Sequence, residues 1–441
     1  MGKNRQRDEL VCSAIEGIYI NINIIVSQLI FLQRKSIILH MNHALKFPGA
    51  RATTVLAPGI QHTVGRVFPK KSLRLDYGGE IEEDALHIEY SSWGDPKNPV
   101  IAIFPSMSNS CLPLQSPLDI NAKGSGWWSK VVGMGPAFGI DFSKFHVVVG
   151  AVLGAPFGTT SPLSRNPKTG MPYGPDFPRI TPADMAKVQA MLLDALGIEH
   201  CHAIVGGSMG GMQAIQFAAM YPEKYDRMVA IAATAHTSPA TVAVRSMQRA
   251  AVRADPTFHD GRYTDKSPNS GLRIARMIGT VAYRSRLEFD SRFSWFPDET
   301  TDEFEVEQYL KHQADKFTQI VNYDANCYLL LSEAMDRMNL GRGYTSFEEG
   351  AARIPNTKEV MLLSYNTDVL TPPEDLERLA SVLGSHRIKV HFEVLNSLLG
   401  HDTFLAPAEA PPLVFRLKEF LSLETGGVDR VRRLVMELHD H

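Results

Sequence analysis

The chain has 441 residues, more than a typical single domain, which predicts either one large domain with an inserted subdomain or two domains. An apolar content of 44 % and a charged content of 21 % are typical of a globular protein, and a formal net charge of −3 argues against a nucleic-acid or anionic-membrane partner. The four cysteines lack the paired spacing of a zinc site or a disulfide framework, which favours a reducing compartment.

The first 72 residues are basic and are predicted to form a disordered arm or a targeting leader. Asp and Glu are absent between residues 17 and 75, and Met41 opens a stretch that reads as an import presequence by itself. Residues 1–40 would then be an upstream extension. Residues 17–32 are apolar but interrupted by polar side chains and too short for a membrane span. The predicted compartment is therefore cytoplasmic or mitochondrial.

Predicted strands and helices alternate from residue 73 onward. Residues 100–104 and 146–153 are continuous apolar, β-branched runs, which are typical of strands buried on both faces of a parallel sheet. A helix is predicted over 181–196, with Thr181 as its N-cap and Pro182 at its first position. The alternation predicts a doubly wound α/β sheet. Further strands are predicted at 86–90, 201–205, 228–233, 360–365 and 387–395, and further helices at 209–220, 373–383 and 411–423.

Residues 236–353 interrupt this alternation, because they read as mostly helical and show no clear β pattern. A helical insertion between two halves of a parallel sheet is the expected form of a lid subdomain. The sequence therefore predicts a sheet domain made of residues 73–235 and 354–425, a lid of residues 236–353 and a charged tail of residues 426–441.

A glycine-rich turn joins the strand at 201–205 to the following helix. It reads Gly-Gly-Ser-Met-Gly-Gly over residues 206–211 and contains the pattern G-x-S-x-G. In the α/β-hydrolase fold this pattern strains the serine and lifts its hydroxyl above the sheet, which makes Ser208 the predicted nucleophile. The alternative is a turn that only packs a helix on a strand. The predicted fold is thus an α/β-hydrolase fold, with a mostly parallel central sheet and a helical lid between its two halves.

A nucleophilic serine needs a base and an acid, which in this fold follow it in the order acid, then histidine. His401 lies just after the strand that ends at residue 395, where a loop can carry its ring to Ser208. Asp368 follows the preceding strand directly and is the predicted acid. A helix-capping Asp and an ordinary loop histidine are the alternatives.

Two backbone N–H groups are expected to form the oxyanion hole, which stabilises the charge that develops in acyl transfer. Met209, directly after the nucleophile, supplies the first. The second comes from the loop after residues 100–104. Pro105 has no N–H, so Ser106 or Met107 is the candidate, with a slight preference for Ser106. The alternative is that this loop is only a structural turn.

Several segments carry a family resemblance in addition to the glycine-rich turn at residues 206–211, which is called the elbow below. They are Gly126-Trp127-Trp128 with Gly133-Met134-Gly135, residues 153–162, Tyr173-Gly174 with Phe177-Pro178 and Thr181, residues 247–256, Gln313 with Lys316-Phe317, Asp324-Ala325-Asn326 with Tyr328, and residues 400–405. With the elbow, they make residues 73–423 resemble the homoserine O-acetyltransferase family, including its serine O-acyltransferase and cephalosporin-type acetyltransferase relatives.

The resemblance implies ping-pong acyl transfer from acyl-CoA to a small hydroxy compound, with homoserine or serine as the default acceptor. It assigns the acceptor carboxylate to Arg249 and the acceptor ammonium to Asp402, and it makes Tyr263 and Tyr283 weaker pocket candidates. A solvated helix charge is the alternative for Arg249, and a loop-bracing role is the alternative for Asp402. The resemblance implies no metal and no bound cofactor, with acyl-CoA as a co-substrate, and it implies a homodimer.

Two departures from the family lie where the acyl group and the acceptor are chosen. The first oxyanion loop reads Phe-Pro-Ser-Met-Ser over residues 104–108, where the family usually has His-x-Leu-Thr-Gly or a Gly-Leu-Ser variant. Arg245 and Ser246 stand where the family commonly has Asn-Glu. A serine hydrolase or esterase that uses water on the same triad therefore stays the second hypothesis, a specialised-metabolite alcohol stays possible as the acceptor, and a catalytically inactive binding protein is the third hypothesis.

Overall fold

The computed structural model describes residues 51–114, 126–263 and 267–423. Within these residues, nine strands form one twisted sheet in the order β1-β2-β3-β5-β4-β6-β7-β8-β9. The first three and β5 pair antiparallel, and every pair from β5 to β9 along the sheet is parallel. The strands are β1 Arg51–Ala57, β2 Ile60–Val67, β3 Ile88–Gly94, β4 Val100–Phe104, β5 His146–Gly150, β6 Cys201–Gly207, β7 Tyr225–Ile231, β8 Glu359–Tyr365 and β9 Lys389–Leu395.

Helices cover both faces of the sheet, which explains the continuous apolar strands. Along β4, Ile101 and Ile103 belong to one buried apolar cluster, whereas Ala102 and Phe104 belong to the other. Successive strand side chains point to opposite faces, so both clusters are filled by the same run of residues. The helices are α1 Pro182–Ala195, α2 Met209–Met220, α3 Pro239–Arg253, α4 Asn269–Tyr283, α5 Arg286–Arg292, α6 Glu305–Asp315, α7 Ala325–Asp336, α8 Phe347–Ala351, α9 Pro373–Ser385 and α10 Ala410–Phe420.

Helix α1 begins where the sequence predicts. Thr181 accepts a hydrogen bond from the Asp184 backbone N–H, and the Asp184 carboxylate accepts one from the Thr181 backbone N–H at 3.0 Å. This capping box satisfies two backbone donors that a helix start would otherwise leave unpaired. The predicted N-cap is confirmed.

Six of these helices, α3 to α8, lie between β7 and β8. They occupy the segment that the sequence predicts to be helical and free of β alternation. The boundaries of a separate lid subdomain stay a prediction, since the insertion and the sheet share one apolar cluster that includes Leu272 and Tyr328.

The prediction that residues 1–72 are a disordered or targeting leader is wrong for residues 51–67. These residues form the hairpin β1–β2, and β2 pairs with β3 from Gln61 to Val67. Thr53 and Thr63 share a hydrogen bond of 2.9 Å across the hairpin, and the His62 ring stacks on Trp93 with centroids 3.6 Å apart. The lack of acidic residues, on which the leader prediction depends, does not oppose strand formation. The predicted leader upstream of residue 51 and the predicted charged tail lie outside the described residues.

Two short two-stranded ribbons lie outside the main sheet, the first antiparallel and the second parallel. Residues Leu73–Arg74 pair with Glu80–Ile81, and Val132–Gly133 pair with Ile140–Asp141. A 3-10 segment, Gly400–Leu405, follows β9 and carries His401. Among the described residues, no helix is long and apolar enough to cross a membrane.

Candidate active site

The backbone of Ser208 joins β6 to α2 in a conformation that L residues rarely adopt. Its φ is 55° and its ψ is −124°. Such a conformation costs about 1–3 kcal/mol and persists only where the surroundings impose it. The Ser208 N–H donates to the Ile231 carbonyl of β7 at 2.8 Å, and the Ser208 carbonyl accepts from the Met212 N–H at 3.0 Å. The turn is thus fixed from the sheet on one side and from the helix on the other.

Glycines let the turn close. A Cβ on Gly206 would collide with the Gly210 carbonyl, and a Cβ on Gly210 would collide with the Phe104 carbonyl of β4. At Gly207 the collision would be with the Phe404 ring at 2.5 Å. The absence of side chains at these positions therefore lets α2 start directly against the ends of β4 and β6.

Ser208, His401 and Asp368 form a continuous chain of hydrogen bonds. The distance from Ser208 Oγ to His401 Nε2 is 2.8 Å, and His401 Nδ1 lies 2.8 Å from Asp368 Oδ2. His401 and Asp368 are buried, with 4 % and 3 % of their surface exposed. The structure therefore brings together the three residues that the sequence selects as nucleophile, base and acid.

Asp368 is held in place by four hydrogen bonds. Its Oδ1 accepts from the backbone N–H groups of Leu370 and Thr371, each at 2.9 Å, and its Oδ2 accepts from the Thr371 hydroxyl at 2.8 Å as well as from His401. Burial by itself raises the pKa of the Asp368 carboxyl. The charge of His401 and these hydrogen bonds lower the pKa by more than burial raises it, so the net pKa lies below its ordinary value. The carboxylate therefore stays ionised near neutral pH.

The opposite balance acts on His401. Burial lowers the pKa of its imidazole, and Arg245 lowers it further, but the charge and hydrogen bond of Asp368, with a smaller contribution from Asp402, raise it more. The net pKa of His401 lies above its ordinary value. The pair is thus arranged to stabilise an imidazolium, which is the state a base reaches after it takes a proton.

The loop that follows β4 lies beside Ser208. Its Ser106 hydroxyl donates to Asn109 Oδ1, Gln213 Nε2 donates to the Pro105 carbonyl at 2.9 Å, and the Tyr323 hydroxyl donates to the Met107 carbonyl at 2.7 Å. Ser106 and Met107 both line the cavity that contains Ser208. The predicted oxyanion loop is therefore adjacent to the nucleophile, and the choice between its two N–H groups stays a prediction, as does the role of Met209.

The cavity above Ser208 lies between the sheet and the inserted helices. Its wall from the sheet side comes from the β4 loop, the elbow, Leu370 and the segment around His401. Helices α3, α4 and α7 form the other wall. Their contributions to the lining are Arg245, Gln248, Arg276, Tyr283, Tyr328, Ser332 and Met335.

Of the four residues assigned to the acceptor by resemblance, two line this cavity. Asp402 follows the base, and its Oδ2 lies 3.5 Å from Arg284 Nε. Tyr283, at the end of α4, has its ring centroid 6.1 Å from that of His401. Both are positioned to contact a molecule that approaches the base.

The other two do not match their predicted positions. Arg249 is not among the described residues that line the cavity, and its Nη1 is already paired with Asp336 Oδ2 at 2.6 Å and with Ser332 Oγ at 2.9 Å. Tyr263 donates to Asp324 Oδ2 at 2.7 Å and accepts from the Asn326 N–H at 3.0 Å, which makes it a support for the start of α7. Both side chains are held by contacts with described residues, and their roles in acceptor binding stay predictions from the resemblance.

Arg276 is a charged cavity residue that the sequence analysis missed. Its guanidinium lies 5.4 Å from the Tyr283 ring centroid and 5.1 Å from that of Phe317. Its buried Nε has no hydrogen-bond partner, and no carboxylate among the described residues forms an ion pair with it. Arg276 lies seven residues before Tyr283 and hence on the same helical face, a spacing that would have identified it once Tyr283 was selected.

No group of three or more His, Cys, Asp or Glu side chains with the proximity to hold a metal ion is found in the part of the chain that the structure describes. The candidate site is formed by Ser208, His401, Asp368 and the residues that line the cavity beside them. Its components are those of nucleophilic acyl chemistry, in which a serine is activated by a base that a carboxylate orients.

The fold and the site define the class of protein. The chain matches the family model of the alpha/beta hydrolase fold over residues 121–405, which is more than half of its length. The sheet order, the strained serine between β6 and α2, and the acid and histidine after β8 and β9 agree with that class.

Similar sequences define the family within that class. A serine O-succinyltransferase from Litchfieldella anticariensis is 36 % identical over 349 residues, which cover 76 % of this chain and 93 % of that protein. A homoserine O-acetyltransferase from Methanohalophilus mahii is 38 % identical over 380 residues, which cover 84 % and 74 % of the two chains. The chain therefore belongs to the homoserine O-acetyltransferase family of α/β-hydrolase-fold enzymes.

Solved structures show the same architecture. The homoserine O-acetyltransferase from Bacillus anthracis superposes with a TM-score of 0.72 at 22 % identity, and the match covers 86 % of this chain and 99 % of that one. Esterase E22 superposes with a TM-score of 0.72 at 25 % identity, covering 82 % and 100 %. The fold is thus similar to that of a transferase and of an esterase.

The close contact at Gly210 can be tested by substitution. We expect Gly210→Ala to lower the free energy of unfolding by about 2 kcal/mol or more, because its Cβ would overlap the Phe104 carbonyl and force α2 away from β4. Urea denaturation measures the change. Gly384→Ala in α9 is the matched control, since no atom lies within 4 Å of its added Cβ. Equal stability of the two variants would contradict the packing account of the elbow.

Proposed function

We propose that this chain is an acyl-CoA-dependent O-acyltransferase that acylates the hydroxyl of a small amino acid, homoserine or serine. The observation that carries the proposal is the hydrogen-bonded chain Ser208–His401–Asp368, which opens into a cavity lined by Arg276, an arginine that forms no ion pair with a described residue. The named transferases to which the chain is 36 % and 38 % identical support it. A homodimer and the cellular compartment stay predictions from the sequence.

In the first half-reaction, Ser208 Oγ attacks the carbonyl carbon of the thioester while its proton passes to His401 Nε2. The carbonyl oxygen becomes an oxyanion, which we expect backbone N–H groups of Met209 and of the β4 loop to stabilise. The carbon–sulfur bond then breaks, and the proton on His401 passes to the departing thiolate. Coenzyme A leaves as a thiol and the acyl group stays on Ser208 as an ester.

In the second half-reaction, the hydroxyl of the acceptor takes the place of the thiol. His401 Nε2 removes its proton while the acceptor oxygen attacks the acyl carbon. A second oxyanion forms at the same position, and the bond to Ser208 Oγ breaks as the proton returns to that oxygen. The product is an O-acyl amino acid, and the serine hydroxyl is restored.

Recognition of an amino acid needs one cation and one anion beside the base. Arg276 supplies a cation that forms no ion pair with any residue the structure describes, and it lies next to the Tyr283 ring, which also approaches His401. Asp402, 23 % exposed at its side chain, supplies the anion. We therefore assign the acceptor carboxylate to Arg276 in place of Arg249, with the Tyr283 hydroxyl as a second donor, and the acceptor ammonium to Asp402.

An acceptor-binding role for Arg276 predicts a selective loss. Arg276→Gln is expected to lower kcat/KM for the amino-acid acceptor roughly 100-fold, because the buried carboxylate loses a charge-assisted partner. The first half-reaction, followed as thiol release from acyl-CoA before acceptor is added, should stay within a few-fold. Arg286→Gln is the matched control, since that side chain is 88 % exposed on the next helix. An unchanged acceptor kcat/KM in the Arg276 variant would overturn the assignment.

A hydrolase is the second candidate, because the fold is similar to that of an esterase at 25 % identity. Thiol release from acetyl-CoA and succinyl-CoA, measured with homoserine, with serine and with neither, distinguishes the two. Transfer predicts release that depends on an acceptor and disappears in Ser208→Ala. Steady release without acceptor, also lost in Ser208→Ala, would indicate hydrolysis, and release that survives the substitution would contradict the serine mechanism.

The pH dependence of kcat/KM follows from the directions in which the pKa values of His401 and Asp368 are shifted. The base acts only when His401 is neutral, so kcat/KM should fall tenfold per pH unit on the acid side, with a midpoint above the ordinary histidine value of about 6.5. Asp368 does not contribute to this limb, since its pKa lies below its ordinary value. In Asp368→Asn the residual activity should be much lower and its acid midpoint should move to lower pH. A midpoint that stays in place would show that Asp368 does not raise the pKa of His401.

A further inference from the structure

Gln213 is a fully buried polar side chain with no part in the proposed reaction. It lies on α2, about one helical turn after Met209, and is 0 % exposed. Its Nε2 donates to the Pro105 carbonyl at 2.9 Å and also lies 3.4 Å from the Met209 carbonyl. One side chain thus contacts both backbone segments that are predicted to form the oxyanion hole.

A second buried glutamine fixes the orientation of the Gln213 amide. Gln189, on α1, is 3 % exposed, and its Nε2 donates to the Gly150 carbonyl at 3.3 Å and to Gln213 Oε1 at 3.4 Å. The oxygen of the Gln213 amide is therefore satisfied from α1, and its amino group faces the Pro105 carbonyl. The reverse orientation of the amide would place two acceptor oxygens against each other.

The hydrogen bond to the Pro105 carbonyl decides where the Ser106 N–H points. In a trans peptide group, the carbonyl and the N–H of the next residue share one plane and point in opposite directions. Gln213 is buried in the core, whereas Ser106 lines the cavity that contains Ser208. A carbonyl that is held from the core therefore directs the Ser106 N–H toward the cavity.

The next two carbonyls of the β4 loop are also occupied. The Ser106 carbonyl accepts from the Asn109 N–H at 3.2 Å, and the Met107 carbonyl accepts from the Tyr323 hydroxyl at 2.7 Å. Within the described part of the chain, neither Ser106 nor Met107 uses its backbone N–H in a hydrogen bond. The loop thus keeps its acceptors satisfied and its donors available, which is what stabilisation of an oxyanion requires.

We propose that Gln213 is a positioning residue for acyl transfer, which holds the Pro105–Ser106 peptide group so that the Ser106 N–H points at the developing oxyanion. This inference rests on the proposed function. Gln213 is not among the described residues that line the cavity, so it acts through the peptide group and not on a substrate. An oxyanion forms when the acyl group enters Ser208 and again when it leaves, so Gln213 serves both half-reactions.

Gln213→Met tests this role, because methionine has a similar length and no N–H donor. We expect kcat/KM for the acyl-CoA donor and kcat/KM for the acceptor each to fall about 10- to 100-fold, somewhat less than the loss of an oxyanion donor itself. The two factors should be similar.

Gln216→Met is the matched control on the same helix. Gln216 is 8 % exposed and donates to the Asn339 carbonyl at 3.3 Å, away from the β4 loop. Its substitution removes a buried hydrogen bond of the same kind, so it should lower the free energy of unfolding to a similar extent. Both kcat/KM values should stay within a few-fold of those of the unmodified protein.

The infrared carbonyl stretch of the acyl-enzyme gives a readout that a loss of stability alone would not move. The ester on Ser208 is formed from acetyl-CoA with an isotope-labelled carbonyl, and its band lies at lower frequency when the carbonyl oxygen accepts hydrogen bonds. We expect the band to move to higher frequency in Gln213→Met and to stay in place in Gln216→Met.

Gln213→Glu keeps the shape of the side chain and decides the matter if Gln213→Met does not fold. An ionised carboxylate cannot donate to the Pro105 carbonyl, whereas a protonated carboxyl can. Burial raises the pKa of a carboxyl, which brings its protonation closer to neutral pH. The ratio of kcat in this variant to kcat in the unmodified protein should therefore rise as the pH falls.

Unchanged kcat/KM values or an unmoved carbonyl band in Gln213→Met would overturn this inference, as would a pH-independent kcat ratio in Gln213→Glu. A loss confined to one half-reaction, or an equal loss in Gln216→Met, would also overturn it. Lack of acyl transfer from any acyl-CoA by the unmodified protein would instead contradict the proposed function. The rate at which p-nitrophenyl acetate acylates Ser208 would then still compare the variants.

Discussion

The structure depends on one strained backbone position. Ser208 has a φ of 55°, and the sheet holds it there through the Ile231 carbonyl while α2 begins one residue later. This geometry places the hydroxyl beyond the sheet and directs the first N–H groups of α2 toward the same space. It is possible only because Gly206 and Gly210 let strand, turn and helix meet in near contact. The remaining site elements are carried to this point by loops at the same edge of the sheet.

Electrostatics gives this geometry its chemistry. Asp368 is ionised and fully hydrogen-bonded, so it can raise the proton affinity of a buried His401 without being protonated itself. The inserted helices add the complementary part, since their inner wall carries Arg276 and Arg245 in surroundings that contain few compensating acids. The sheet therefore supplies the reacting groups, whereas the insertion supplies charges that can discriminate between substrates. One of the two departures from the family pattern, Arg245, is itself one of those charges, whereas the other lies in the β4 loop on the sheet side.

The sequence predicted the parts of the protein that follow local rules. The N-cap at Thr181, the apolar strands and the elbow each depend on neighbouring residues, and the order of acid and histidine follows from the fold class. The hairpin at 51–67 was missed because its composition resembles a leader, and only its pairing with β3 distinguishes the two. The resemblance assigned the acceptor carboxylate to Arg249, which lies one turn, about 6 Å, further along α3 than Arg245, an arginine that lines the cavity. Which turn meets the cavity is decided by tertiary packing against α7, which no local pattern encodes.

The most direct measurement of the central claim is to trap the acyl group. The protein is mixed rapidly with succinyl-CoA or acetyl-CoA in the absence of acceptor, quenched in acid and digested, and its peptides are analysed by mass spectrometry. The account predicts one acyl group on the peptide that contains Ser208, formed together with an equivalent of free thiol and lost when homoserine or serine is added before the quench. Acyl transfer that proceeds while Ser208 stays unmodified would contradict it.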